Sequence, residues 1–406
     1  MSWERRELGD LCEEITVGHV GSMATRYVPS GVPFLRSQNV QVGRLELSAL
    51  KFIDQEFHDQ LRKSQLRAGD LVIVRTGEPG KAAVVPQGLG DLNCADLVIA
   101  RPKLDVSARF LSYAINETAQ SFVKAHTVGA VQQHFNVTSA KKLTVLVPSI
   151  SEQRAIAEIL GALDDKIALN ERICETSLAL ADCYSQAVCA GGSEGPIAAI
   201  AQLATEGQLE FGDGYRTKRA EHGQPGLPIL RVAEVADGEI RPSFVDHVRD
   251  EFRAAMGRKT SQAGDVVLTT KGTVGRVAMV SADAPEFVYS PQVCYFRVKR
   301  DAQVSNIYLF HWMRGPEFWR QAAGMKGQTD MADYLSLGDI KSLRITLPSR
   351  ASLAEFDRKC APLHARSAAA RGENRTLADL RDTLLPQLLS GKLQVRDAVR
   401  TVEEVA

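Results

Sequence analysis

Few side chains in this sequence have the types and spacing that reaction chemistry needs. Asp164, Asp165 and Lys166 give an acid–x–lysine spacing that forms part of some nuclease sites. They fall inside a long helical pattern, and no acidic strand residue is identifiable to complete the set, so a solvated acidic helix face is the expected reading. The eight histidines show no metal-ligand spacing such as HExxH. No (D/N/S)PP(Y/F) adenine-methylation motif occurs, and no glycine-rich cofactor loop opens a Rossmann unit. The expectation is a chain with no catalytic residue and no metal or cofactor of its own.

What the sequence does carry is recognition chemistry, in three stretches that each occur twice. The first is LRSQNV, with Arg36, Ser37, Gln38 and Asn39, matched by LRVAEV with Arg231. Arginine and Asn/Gln can make paired hydrogen bonds to guanine and adenine edges. Because Arg36 and Arg231 hold equivalent positions, a structural salt-bridge role is equally open. The second is a glycine turn: Arg75, Thr76 and Lys81 around Gly77 and Gly80, matched by Thr270, Lys271 and Arg276 around Gly272 and Gly275. Such a turn can bring backbone N–H groups to a phosphate, with the basic residue adding charge. The alternative is a plain tight hairpin. It is not a P-loop, since no Ser or Thr follows Lys81. The third is amide-rich: Gln132, Gln133 and His134, matched by Gln328 and Thr329. These suit base edges and are the expected specificity-determining residues; a solvated surface loop is the alternative.

The elements that must position these residues are themselves duplicated. VPFLR at 32–36 aligns with LPILR at 227–231, and AGDLVIVRTGEPGKAAVV at 68–85 with AGDVVLTTKGTVGRVAMV at 263–280. KKLTVLVPS at 141–149 aligns with KSLRITLPS at 341–349. Short β-type runs and one helical candidate at 108–126 make each copy an α+β body rich in strands.

Each copy runs into a long helix. In 151–190, Ile156, Leu160, Leu163, Ile167 and Asn170 begin a three–four stepping that continues to Val188. In 349–392, Leu353, Phe356, Leu363, Asn374, Leu377 and Leu384 keep the same stepping. That is a heptad seam, and each seam needs a partner. Ser151 is the expected start of the first helix. Pro362 should kink the second, Gly372 weaken it, and Pro386 with Gly391 end it. The expected order is body 1–150, helix 151–190, body 191–348, helix 349–392 and a tail at 393–406. It describes two β-rich domains in tandem repeat, separated by two long antiparallel coiled-coil helices, with pseudo-two-fold symmetry.

Composition narrows the class. The 406 residues are 44% hydrophobic with no apolar run long enough for a membrane span, and Met1 to Asp10 is too charged for a signal peptide. Seven cysteines without a CxxC pair fit a reducing cytoplasm. Net charge is zero, which argues against a non-specific nucleic-acid binder, and 151–190 is acidic with three basic against seven acidic residues. That helix suits protein better than phosphate.

The motifs SEQRAIAEILGALDDKIALNERI and LADLRDTLLPQLLSGKLQV, together with the paired GDxVxxxxGxxG(K/R)xAxV turns, resemble the specificity subunits of type I restriction–modification enzymes over nearly the whole chain. The resemblance implies two target-recognition domains, each reading one half of a bipartite asymmetric site in double-stranded DNA. It implies two spacer helices that set the gap and dock two methyltransferase subunits, which bring in restriction/translocase subunits. S-adenosylmethionine, ATP and Mg2+ would then be used by the partners. A coiled-coil protein-binding scaffold without DNA recognition is the rival reading.

Overall fold

The structure is a computed structural model that describes residues 3–125, 135–190, 195–241, 243–325, 327–329 and 332–405. The chain divides into two units, one built from 1–168 with 374–406 and the other from 169–373.

In the first unit, strands Cys12–Val17, Leu97–Pro102, Leu71–Val74 and Ala82–Val84 lie side by side in that order, all antiparallel. Leu71 and Ile73 face one way and Val72 and Val74 the other, and all four are buried. Side chains alternate across a strand, so a wholly apolar run needs cover on both faces. Helix Ala108–Ala125 supplies one cover, with Phe110, Leu111 and Ile115 packed on the face of Leu71 and Ile73. A smaller layer holding Leu35, Val40 and Cys94 covers the other. Glu4–Glu7 pairs with Thr144–Val147, so the charged N-terminus is a strand.

The second unit repeats this plan. Leu209–Asp213, Val293–Val298, Val266–Thr269 and Val277–Met279 form the sheet in equivalent order. Val266 and Leu268 face Tyr308, Leu309 and Trp312 of helix Asn306–Arg314. Val267 faces Leu230, Val235 and Tyr289.

Two long helices, Ile150–Ala190 and Arg350–Leu389, complete the cores. Ile156, Leu160 and Leu163 join Leu377, Leu384 and Leu388 in the first unit, with Ile167 partly buried beside them. Phe356 joins Ala181 and Cys360 in the second, with Leu353 and Leu363 partly buried there. Within each unit the pair is antiparallel. Asp164 meets Arg381 and Ile167 meets Asn374 in the first unit, while Asn170 meets Glu373 and Cys174 meets Ser367 in the second. The mid-seam asparagines are not solvated interruptions. Asn170, fully buried, donates from Nδ2 to Glu373 (2.8 Å), and Asn374 donates to the Ile167 carbonyl (3.2 Å).

Three expectations about the helices need correction. The first helix starts one residue before Ser151. Its capping side chain is Ser149, whose Oγ accepts from the Glu152 N–H (3.4 Å). Ser349 repeats this for the second helix, accepting from Ser352 (3.1 Å). The second helix runs through Pro362, Gly372 and Pro386 to Leu389, so Pro386 does not end it, and Gly391, at a φ of 70°, stands just past its last turn. Residues 393–406 are not a tail: Val395–Val405 is a helix whose Val395, Ala398 and Val402 pack on the first core.

Asp164 also differs from a solvated acidic face, while Asp165 stays exposed. Asp164 accepts from the Tyr113 hydroxyl (2.5 Å) and from Arg381 Nη1 (3.0 Å), and Asp165 pairs with Arg109 (2.7 Å). They fasten the first body to its helices. Their second-unit counterpart is a histidine pair. His311 Nδ1 lies 2.6 Å from Asp182, and its Nε2 lies 2.9 Å from His364 Nε2. Arg314 grips the same Asp182 carboxylate (3.0 Å). Burial and the neighbouring His311 push His364 down to about 4; burial also pushes His311 down, against the opposing pull of Asp182.

Candidate nucleic-acid interface

In each unit one end of the four-stranded sheet gathers the polar loops. In the first unit Val17 pairs with Val98, and Val74 with Leu97, so the loop after Val17, the glycine turn after Val74 and the turn before Leu97 leave from the same edge. In the second unit Asp213 pairs with Cys294 and Thr269 with Val293, which gathers the equivalent three loops.

The glycine turn is a hairpin in both copies. Gly77 and Gly80 have φ of 86° and 96°, and Gly272 and Gly275 have 80° and 101°, a region that favours glycine. The Gly80 N–H donates to the Val74 carbonyl (3.0 Å) and the Gly275 N–H to the Thr269 carbonyl (2.9 Å). Those two amides close the turn and do not point at a ligand. Arg75 is held by Asp96 (2.6 Å), which also accepts from Thr76 (3.3 Å). Asp96 itself sits at a φ of 45°, the one such non-glycine among the described residues. Lys81 pairs with Glu78 (2.6 Å). In the second copy, buried Thr270 donates to the Gln292 carbonyl (3.1 Å), Arg276 donates to the Val235 carbonyl (3.1 Å), and Lys271 is exposed.

Just past the third stretch, the chain bonds back to this turn. The Phe135 N–H donates to the Arg75 carbonyl and the Leu335 N–H to the Thr270 carbonyl, both at 3.0 Å. Gln132, Gln133 and His134 lie outside the described residues. Gln328 and Thr329 lie on a hairpin, Gly327–Thr329 against Ala332–Tyr334, and Tyr334 bridges to Lys271. In the second copy the second and third stretches of the sequence are thus neighbours in space.

The first stretch does different work. The Arg36 N–H donates to Asn39 Oδ1 (3.1 Å), Asn39 Nδ2 donates to the Glu46 carbonyl (3.0 Å), and Asn39 is fully buried. At the same positions in the second copy, the Arg231 N–H donates to Glu234 Oε2 (2.8 Å), and Glu234 is buried. Arg36 Nη2 donates to the Ala49 carbonyl (2.9 Å), and Arg231 pairs with Asp246 (2.6 Å). These groups staple the short turn after the strand. Gln38 is exposed and Ser37 partly so.

Sequence reasoning missed the loop that leaves the first strand of each sheet. Both loops begin at a glycine that passes close over a strand of the smaller neighbouring sheet. A Cβ on Gly18 would lie 2.7 Å from Cys94 Sγ, and one on Gly214 would lie 2.1 Å from the Tyr289 carbonyl. In the first unit the loop, 18–31, carries Arg26, which stacks 4.8 Å above the Phe57 ring, and Tyr27. In the second, 214–225, it carries exposed Arg216, Lys218 and Arg219. The signal was available as a glycine, Gly18 or Gly214, well ahead of each VP/LP-strand motif, followed in the second copy by YRTKR.

A frame duplicated down to its buried side chains, with different loops at the same sheet end of each copy, defines a class of two-module recognition protein. Comparison with known proteins gives this class named relatives. Residues 1–176 match the model of the type I restriction modification DNA specificity domain. The chain is 25% identical over 181 residues to a putative type I restriction enzyme MjaX specificity subunit of Methanocaldococcus jannaschii, a match spanning 42% of each protein. It is 21% identical over 389 residues to the type I restriction enzyme EcoKI specificity subunit of Escherichia coli, covering 89% of this chain and 82% of that one. In fold it is similar to a type I restriction–modification S subunit from M. genitalium, with a TM-score of 0.59, 15% identity and 96% of both chains covered. In sequence over residues 1–176 and in fold over most of its length, the chain is thus similar to type I restriction–modification specificity subunits. No helix among the described residues is long and apolar enough to cross a membrane.

Proposed function

We propose that this chain is the non-catalytic DNA-reading subunit of a type I restriction–modification system, and that each unit reads one half of a bipartite asymmetric site. The observation that carries the reading is the split between matched and unmatched residues. Asp70 and Asp265 accept the Arg67 and Gln262 N–H groups (2.9 Å each) at equivalent turns, and the Arg36 and Arg231 N–H groups donate to Asn39 and Glu234 at equivalent staples. The loops at the sheet ends share backbone closures but differ in their described side chains, with Arg75 on Asp96 in one copy and Thr270 on the Gln292 carbonyl in the other. A fixed frame with free loops is what reading two different half-sites requires.

The long helices set the gap between half-sites and dock two methyltransferase subunits, which recruit the restriction/translocase subunits; S-adenosylmethionine, ATP and Mg2+ act there. Support for docking comes from Leu169 and Leu180, 51% and 41% exposed, eleven residues apart and so on one face of an acidic helix. Base contact falls to the amide-rich stretches with Gln132, Gln133, His134, Gln328 and Thr329, and to exposed Gln38 and Lys271. The test is co-expression with the cognate methyltransferase and mapping of methylated adenines across host DNA. One motif with two short specified parts and an unspecified gap is expected. Methylation that is absent or unsplit refutes the reading and favours the protein scaffold.

A further inference from the structure

The two sheet ends are unequal in charge. In the first unit the loop 18–31 carries one cation, Arg26, and the glycine turn adds Arg75 and Lys81, each already paired with a carboxylate. In the second, the loop 214–225 carries Arg216, Lys218 and Arg219 against one acid, Glu221. Arg216 is 77% exposed and its nearest carboxylate, Asp213, is 3.6 Å away. Lys271 adds a further exposed cation at the same end, because the loop leaves over Tyr289 while the Thr270 N–H donates to the Gln292 carbonyl (2.8 Å).

The cationic loop is also held in shape. The Tyr215 N–H donates to the Tyr289 carbonyl (2.7 Å), and the Lys218 N–H to Glu221 Oε2 (3.2 Å). Arg249 Nη2 donates to the Ala220 carbonyl (2.9 Å) at the loop's far side. The backbone is fixed while the charged ends stay in solvent. Such an arrangement meets a phosphate row without first having to be ordered. Glu221 is taken up by that backbone and Asp213 lies against exposed Arg216, while Lys218 and Arg219 point their charges to solvent.

We propose that the two units divide the work of binding DNA unequally, the second unit supplying most of the phosphate contact through Arg216, Lys218, Arg219 and Lys271, the first binding with little charge. This rests on the DNA-reading function proposed above. Phosphate contacts fix register and give salt dependence without sequence information. The second unit then anchors the chain on duplex of any sequence, and the first contributes mainly through its match to bases.

The test uses the full-length chain and a 30-base-pair duplex of arbitrary sequence, with fluorescence anisotropy read from 50 to 200 mM NaCl. In R216A/K218A/R219A the slope of log K against log salt should be shallower by about 2.7, at about 0.9 per phosphate contact. A fourfold rise in salt should therefore weaken the wild type about 40-fold more than the triple variant. R26A should change the slope by about 0.9 or less. All these side chains are exposed, and unchanged thermal melting will establish that the variants fold. An unchanged slope in the triple variant, or an equal change in R26A, overturns the division of labour. Absence of salt-dependent duplex binding by the wild type overturns instead the DNA-reading function beneath it.

Discussion

Acid should loosen the second unit before the first. His364 stands where the repeat places Asp164, so the body–helix fastening is a carboxylate in one unit and a histidine in the other. His311 and His364 share one proton across 2.9 Å, and a second proton would set two cations against each other with Arg314 and Arg371 nearby. Asp182 is the carboxylate facing them, and the rings of Phe310 and Phe356 fill the remaining space. The folded value for His364 is about 4 against 6.5 for the free side chain. A lowered histidine costs nothing above 6.5. Below it, the unfolded chain takes the proton and the folded one does not, so stability falls until the pH reaches about 4. At 1.36 kcal/mol per unit the full loss is about 3 kcal/mol, most of it between pH 6.5 and 4.5. Urea unfolding followed by tryptophan emission suits the question, since Trp312, buried, and Trp319 both lie in the second unit. Wild type minus His364→Leu should give a difference in pH dependence of about 2–3 kcal/mol over that interval. Hydrogen exchange at pH 5 should also rise in 306–314 before it rises in 108–119. Parallel pH curves for the two proteins, or earlier opening of the first unit, would refute the reasoning.

Other substitutions separate frame from interface. Asp265 is buried and holds Arg297 through 2.6 and 2.8 Å bonds, so Asp265→Ala strands a buried cation and should cost about 3–5 kcal/mol in chemical denaturation. Asn39→Ala removes a buried staple and should lower stability by about 1–3 kcal/mol, with melting temperature falling whether or not DNA is present. Gly275→Ala puts a Cβ 2.0 Å from the Trp319 ring at a φ of 101°, whereas Gly272→Ala meets nothing within 4 Å; differential scanning calorimetry should find the first clearly more costly. Leu169→Asp with Leu180→Asp should leave melting nearly unchanged and abolish co-purification with the methyltransferase.

Much of this was readable from sequence because it rests on periodicity. A period-two run that is apolar on both faces, such as Leu71–Val74, must lie between two layers, and the copy at Val266–Thr269 must do the same. The seams of Ile156–Leu163 and Leu377–Leu388 announce helices that need partners. Periodicity does not say which half of one helix meets which half of the other, nor that Val395–Val405 folds back as a further helix on the first core. The recognition residues were the least legible. The Asn39 amide suits an adenine edge and a backbone carbonyl equally well, and only its burial against Glu46 decides between them. The basic loop at 214–225 was overlooked because attention to matched positions passes over what differs between copies.

The makeup of the first unit bears on how the chain is born. Its core is finished by Leu377, Leu384 and Leu388, which leave the ribosome only after residues 169–373 have been made. The second unit is contiguous in sequence and can close while synthesis continues. The first must wait with Ile156, Leu160 and Leu163 uncovered. The ribosome therefore delivers the units in one order and folding completes them in the other. A premature stop near the end of the gene would damage the domain encoded at its beginning.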